Sequence, residues 1–288
     1  MTQSGQKGFE GWYFKHQRGE EMVAFIPGRA ESGPFLQMIS PQGARQFAVS
    51  RLTAGGGMVR ADRCWFSTRG CHIELPGVRG GIVYGPLSSL SCDIMGPFRF
   101  LPMECRHGVI SMVHTLRGTL WIDGQPHRFD GGQGYIEKDS GISFPRWYLW
   151  VQCNDFSAPC SVMLSVAAVP LGPISFRGCI CALLYRGRPY RFATYRGVRI
   201  LRFSPRRVCL AQGRRLLDLT LAPRDAGHPL RAPQNGRMSG CIRESCAARM
   251  RLRLREDGET VLDLGSARAA YEFVPPPQAH NPATAAAY

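Results

Sequence analysis

The sequence predicts an all-β fold of short antiparallel strands gathered into a barrel or sandwich. Three observations carry this expectation. Apolar and polar residues alternate with period two in several segments, two-residue turn signals separate such segments, and 33 Gly and 21 Pro punctuate a chain of 288 residues. Turn residues at that density suit tight loops between strands better than helices.

The elements follow in chain order. Residues 8–15 read as a first strand. Residues 111–122 form a strand-like run, Asp123-Gly124 a turn pair, and 126–129 the start of the return. Residues 180–185, Arg186-Gly187 and 189–195 repeat that pattern, and 199–203, 207–211 and 215–221 continue as a meander. The clearest alternation spans 248–255, with Met250, Leu252 and Leu254 on one face and Arg249, Arg251, Arg253 and Arg255 on the other. A helix would scatter these arginines around its axis. Residues 261–264 and 270–274 read as closing strands, and any helix is expected to be short, near Pro145 or Pro159. The length accommodates one large β domain or two smaller ones. The natural division is 1–150 and 151–274, followed by a low-complexity tail, 275–288, expected to be disordered.

Composition narrows the function classes. The longest apolar stretch, around 162–171, is too short to span a bilayer and contains Ser165 and Pro170. The N-terminus lacks the layout of a signal peptide, so the cytoplasm is the expected location. The eleven cysteines include no C-x-x-C pair and are expected to be reduced, with Cys179 and Cys181 packed on one strand face. Residues 177–255 carry 19 Arg against 3 acidic residues, whereas the rest of the chain sums to 17 − 18 = −1. Genome composition accounts for such an excess as well as an anion-facing surface does. The functional reading predicts peripheral contact with an anionic membrane surface through this Arg-rich half. Nucleic acid ranks last as a partner, because no aromatic stacking set accompanies the arginines.

Three segments carry a resemblance. The first is Gly8-Phe9-Glu10-Gly11-Trp12-Tyr13-Phe14-Lys15. The second runs Gly134-Tyr135-Ile136-Glu137-Lys138-Asp139, then Ser143-Phe144-Pro145, then Trp147-Tyr148-Leu149-Trp150-Val151-Gln152-Cys153-Asn154. The third is Leu230-Arg231-Ala232-Pro233 with Cys241-Ile242-Arg243-Glu244-Ser245-Cys246 downstream. Their order and spacing over residues 8–274 resemble tocopherol cyclases and their bacterial relatives. The resemblance implies antiparallel lipocalin-like (calycin) β-barrels, two in tandem. It also implies a cofactor-independent activity, closure of a chromanol ring on a prenylated hydroquinol, with a hydrophobic isoprenoid or prenylated phenol as partner. Ser140 stands where plant-type members carry Trp, and the chain starts almost at the F-E-G-W motif, without the longer leader of plastid members.

That reaction needs an acid to protonate an alkene, a dry pocket and aromatic faces for the cation. A carboxyl in an apolar site has a raised pKa and suits the task. Glu137 and Asp139 share one face of an extended segment while Lys138 takes the other, so these two are the candidate catalytic acids. Trp147, Trp150, Tyr135, Trp12, Glu10, His107, His114, Gln152 and Asn154 are the candidate substrate-binding residues, set in an apolar barrel cavity. Packing of a barrel base is the alternative role for Trp12. Glu104, His107 and His114 are the best group for a metal, but their spacing matches no ligand motif, and neither metal nor cofactor is expected. Cys153 has no His nearby in sequence to activate it, and Glu244 reads as a structural partner of arginines. The glycines at 55–57 and 131–134 are not phosphate loops. The alternative to an enzyme is a non-catalytic barrel that binds or carries a lipophilic molecule.

Overall fold

The computed structural model describes residues 8–171 and 174–277, and two antiparallel sheets account for most of them. The first sheet contains β1 (Phe9–Arg18), β2 (Glu21–Ala30), β3 (Gly33–Ser40), β4 (Gly43–Phe47), β5 (Leu52–Gly55), β6 (Met58–Ala61), β7 (Cys64–Ser67), β8 (Gly70–Leu75), β9 (Val78–Tyr84), β10 (Cys105–Ile122), β11 (Gln125–Arg128) and β12 (Gln133–Gly141). The second contains β13 (Tyr148–Cys153), β14 (Cys160–Leu171), β15 (Ile174–Tyr185), β16 (Arg188–Ala193), β17 (Arg199–Ser204), β18 (Arg207–Gln212), β19 (Arg215–Ala222), β20 (His228–Gln234), β21 (Arg237–Glu256) and β22 (Glu259–Val274). The chain returns at the middle of each sheet, where β1 pairs with β12 and β13 with β22.

Two-residue turns set the registers. Asp123-Gly124, Arg186-Gly187, Asn235-Gly236 and Asp257-Gly258 all take positive φ at both positions, the mirror-image turn whose twist matches that of the flanking strands. The two closing strands read from the sequence are one long strand, β22, which pairs with β21 through several bulges. The segments around Pro145 and Pro159 are irregular. The helical elements among the described residues are two 3₁₀ turns elsewhere, Gly96–Phe100 and Thr194–Arg196.

Each sheet curls around an apolar core of its own. Trp12, Phe14, Phe25, Phe66, Leu120 and Phe129 fill the first barrel. Leu149, Leu164, Phe192, Leu219, Leu252 and Tyr271 fill the second, together with Cys179 and Cys181. At the seam of the second barrel, Gln212 accepts from the Ala193 N–H at 3.1 Å and donates to the Arg191 carbonyl at 2.9 Å, so a side-chain amide bridges the gap. All eleven cysteines are free thiols; seven are buried, whereas Cys92 and Cys241 are exposed.

The alternation at 248–255 lies within β21, with Met250, Leu252 and Leu254 in the core. The arginine excess is partly neutralised by acids that lie just outside 177–255 in sequence. Arg251 and Arg253 share Asp263, and Arg215 meets Glu256. Within that window, Arg207 takes Asp218. Exposed pairs of this kind each contribute under about 1 kcal/mol.

A third apolar cluster joins the two barrels and is built from Tyr13, Ala24, Tyr135, Tyr148, Trp150, Ile180 and Leu230 among others. In β13 the residues Leu149, Val151 and Cys153 face the second core while Tyr148 and Trp150 face the first barrel. Every residue of this strand is buried. A strand buried on both faces loses the polar half of its alternation, which is why β13 reads as a nearly continuous apolar run.

Candidate functional site

A cavity of about 160 Å³ opens between the two barrels. A single water needs roughly 10–15 Å³ on this scale, so the space suits an organic molecule. It is not the interior of either barrel, as the sequence predicts, because both interiors are filled by side chains. All three motif segments converge on it. Phe9, Gly11 and Tyr13 come from the first, Glu137, Asp139, Phe144, Tyr148 and Trp150 from the second, and Leu230, Pro233, Ile242 and Glu244 from the third.

The geometry around the paired acids follows from strand register. Asp139 lies opposite Gly11 on one side and His107 on the other, and Glu137 opposite Tyr13 and Val109. His107 donates from Nδ1 to Asp139 Oδ1 at 2.8 Å. Its Nε2 stands 3.4 Å from Glu137 Oε2, an electrostatic contact rather than a hydrogen bond. Burial opposes a charge on His107, but Asp139 and Glu137 outweigh it and push its pKa up to about 9. Burial, opposed by His107, raises Glu137 from 4.5 to about 7. His107, Glu137 and Asp139 bring donor atoms within 4.8 Å of one another, which would suit a cation. A cation there would have to displace the imidazole proton that the two carboxyls favour.

Three glutamates on the wall of this space are each bonded to a tyrosine. Tyr135 donates to Glu137 Oε2 at 2.5 Å, Tyr13 to Glu244 Oε1 at 2.6 Å, and Tyr148 to Glu272 Oε2 at 2.6 Å. Glu244 and Glu272 lie directly opposite each other on β21 and β22. Burial and mutual repulsion raise the pKa of Glu272 well above its ordinary value, and burial takes Glu244 to about 7. Glu244 therefore does not serve arginine as the sequence predicts: it is fully buried, tied to Tyr13, and its Oε2 has no hydrogen-bond partner. Trp150 Nε1 is likewise buried and unpartnered, with its ring edge-on to Tyr13 at 5.6 Å. The unpaired acceptor and the unpaired donor stand behind the cavity wall, shielded even from a water, each at a cost of about 1–3 kcal/mol.

Several predicted site residues lie elsewhere. Glu10 points away from the cavity into an ion pair with Arg29 and Lys138. Trp12 belongs to the first core, with Lys138 4.9 Å over its ring, and also borders the cavity. Tyr135 stands behind Glu137 rather than on the cavity wall. His114 packs against Tyr84 at 4.5 Å and bonds Ser111, and burial depresses its pKa to about 4. Trp147 lies against Phe203 and Arg177 on the second barrel. Gln152 and Asn154 form a polar staple between the barrels. Gln152 accepts from buried Lys15 at 2.9 Å and donates to Asn154, while Asn154 donates to the Gly134 carbonyl at 3.1 Å and accepts from Ser161 at 2.8 Å.

These charges set a pH dependence. His107 binds its proton more tightly in the folded chain, so its stabilisation is complete below pH 6.5 and is lost as pH rises through about 9. Buried His16 and His114 titrate below this window, at about 3 and about 4. The thermal midpoint should therefore fall between pH 6.5 and 9, with a flatter slope in His107→Gln. A midpoint that rises over that range would contradict the assignment.

The family model described as tocopherol cyclase-like matches residues 82–273. The chain is 28% identical over 207 residues to the probable chloroplastic tocopherol cyclase of Oryza sativa subsp. japonica, a match covering 66% of this chain and 44% of the rice protein. The chloroplastic tocopherol cyclase of Zea mays matches at 28%, over 43% of its length. The matched part thus spans less than half of either relative. Among solved structures, CghA with Sch210972 is similar at a TM-score of 0.57 and 14% identity, covering 93% of this chain and 88% of that one. A putative AttH from Nitrosomonas europaea gives 0.52 at 13% identity, with 93% and 92% covered. Kievitone hydratase from Nectria haematococca gives 0.53 at 9%, with 93% and 90% covered. These three likenesses concern the fold.

Proposed function

Because the chain belongs to the tocopherol cyclase-like family, we propose that its inter-barrel cavity binds a prenylated phenol or a related isoprenoid and closes a ring on it by acid promotion. The observation that carries this reading is the meeting of all three motif segments around one apolar space with a protonatable carboxyl on its wall. Glu137 is the proton donor. Its proton adds to the alkene, the phenol oxygen bonds to the tertiary cation, and the phenolic proton returns to the carboxylate. The product is an isomer of the substrate, and no redox partner is consumed.

The surroundings suit each step. Asp139 fixes the His107 ring, and the imidazolium stabilises the Glu137 carboxylate once its proton has left. Tyr13, Tyr148, Phe144 and Trp150 offer faces to the cation and keep water away from it. The test is incubation of the purified chain with a prenylated hydroquinol in deuterated water. A cyclised product carrying one deuterium at the former alkene carbon is the expected result. Tight binding with no product would instead mark a carrier, and the ring-closure reading would fall.

A further inference from the structure

The apolar lining of the cavity does not stop at its mouth. Phe98 lines the cavity and packs against Phe176 at 6.1 Å and Tyr195 at 5.8 Å. Two residues beyond Phe98, Phe100 stands 76% exposed on the 3₁₀ turn. Gly178 lines the cavity on β15, and on the same strand face Phe176 continues outward to Ile174, which is 64% exposed. On a third segment, Ile142 is 46% exposed between cavity-lining Asp139 and Phe144. Of the six large apolar side chains exposed among the described residues, three therefore sit on segments that line this cavity. Because Phe98 and Phe176 touch, Phe100 and Ile174 extend from neighbouring segments beside the cavity, and exposed apolar side chains grouped in this way mark a contact site.

The rim is held in place. Gly96 takes a φ of +53°, and a Cβ there would stand 2.5 Å from the Tyr195 ring, so only glycine lets the turn lie flat on it. Tyr195 in turn donates to the Ile94 carbonyl at 2.9 Å. The charge around the opening is mainly basic, with Glu104 as an acid on the cavity wall beside it. Residues 96–103, 142–147, 174–178 and 194–197 contain Arg99, Arg146, Arg177 and Arg196 and no acidic residue. Arg99 lies over the Phe100 ring at 4.6 Å, Arg177 over Phe203 at 4.9 Å, and Arg196 reaches the sulfur of Cys92. By contrast, Arg207, Arg215, Arg251 and Arg253 on the second barrel already meet carboxylates.

We propose that the mouth of the inter-barrel cavity docks on an anionic lipid bilayer, with Phe100 and Ile174 entering the headgroup region and Arg99, Arg146, Arg177 and Arg196 meeting acidic lipids. Aromatic and aliphatic side chains ringed by arginine are the combination that binds such a surface. In this arrangement a water-insoluble ligand passes from the bilayer into the cavity without crossing water. The inference builds on the reading that the cavity holds a lipophile, and it places membrane contact at the rim rather than on the arginine-rich strand face.

The test is flotation of the whole chain with phosphatidylcholine–phosphatidylserine vesicles and with pure phosphatidylcholine vesicles. Binding to the mixed vesicles, weakened by salt and much weaker on the neutral ones, is expected. Phe100→Ser/Ile174→Ser should lower it by about tenfold, and Arg99→Gln/Arg177→Gln by a similar factor. Arg249→Gln/Arg255→Gln, on the second barrel's outer strand face, should leave it unchanged. All these side chains are exposed, so folding should survive. Absence of binding in the wild-type chain, equal binding to both vesicles, or loss of binding only in the strand-face variant would each overturn the proposal. So would a rim variant that only converts a dimer to a monomer in sedimentation. A short-chain, water-soluble prenylated phenol, followed by quenching of Trp150 fluorescence, separates the two readings. The rim variant should still bind it, whereas failure of the wild-type chain to bind it would count against the ligand and leave the vesicle result standing.

Discussion

Glu137→Gln should lower turnover of a prenylated phenol by about 100-fold or more while changing ligand affinity only a few-fold, since a positioned general acid contributes roughly 10²–10⁴ in rate. The glutamine is nearly isosteric and still accepts from Tyr135, so the cavity keeps its shape. What disappears is a proton that burial holds on the carboxyl up to about pH 7. Asp139→Asn should act differently. It removes the 2.8 Å partner that fixes His107, so turnover should drop and the alkaline limb of the pH–rate profile should move, because His107 then loses much of what raises it to about 9. His107 and Asp139 are positioning residues in this scheme. Full turnover in Glu137→Gln would sink the assignment and turn attention to the Glu244 and Glu272 pair, which also retains protons in the cavity.

The largest stability effect of a single polar change should come from Asn154→Ala, at about 3 kcal/mol. The substitution leaves the Gly134 carbonyl and the Gln152 amide without partners in a buried site, and each orphaned group costs about 1–3 kcal/mol. Ser161 keeps its other bond, to the Met112 carbonyl at 2.6 Å. Because Gln152 is also the acceptor for buried Lys15, loosening it exposes a charge to an apolar neighbourhood, which adds to the loss. At about 2–4 °C per kcal/mol for a chain of this size, calorimetry should record a fall of roughly 6–12 °C. The staple joins the barrels, so the transition should also broaden as they begin to melt separately. A change under about 1 kcal/mol would mean that water replaces the lost amide at no net cost.

Strand alternation, turn pairs and motif spacing are local properties, and they sufficed for the fold class, the hairpins at Asp123-Gly124 and Arg186-Gly187, and the common face of Glu137 and Asp139. Side-chain direction in a strand repeats every two residues whatever the strand packs against, so the parity of these acids is written in their spacing. The sequence also placed Cys179 and Cys181 together in a core for the same reason.

What that parity cannot say is which face meets which partner. Tyr13 and Glu244 are 231 residues apart, and Tyr148 and Glu272 are 124 apart. No local pattern pairs them, because a contact at that separation depends on how two whole sheets pack. The same packing turned Gln152 and Asn154 from candidate ligand contacts into a staple, and drew Glu10 into an ion pair on the far side of β1. It also moved the cavity from inside a barrel to the space between two, where both faces of β13 are covered and the apolar–polar alternation that marks a half-buried strand fades. The sequence alone determined that this chain is built of antiparallel β-barrels and carries two acids on one strand face. Only the tertiary structure decided that these acids, with His107, Glu244 and Glu272, converge on a single apolar cavity, because burial and mutual repulsion act through space and not along the chain.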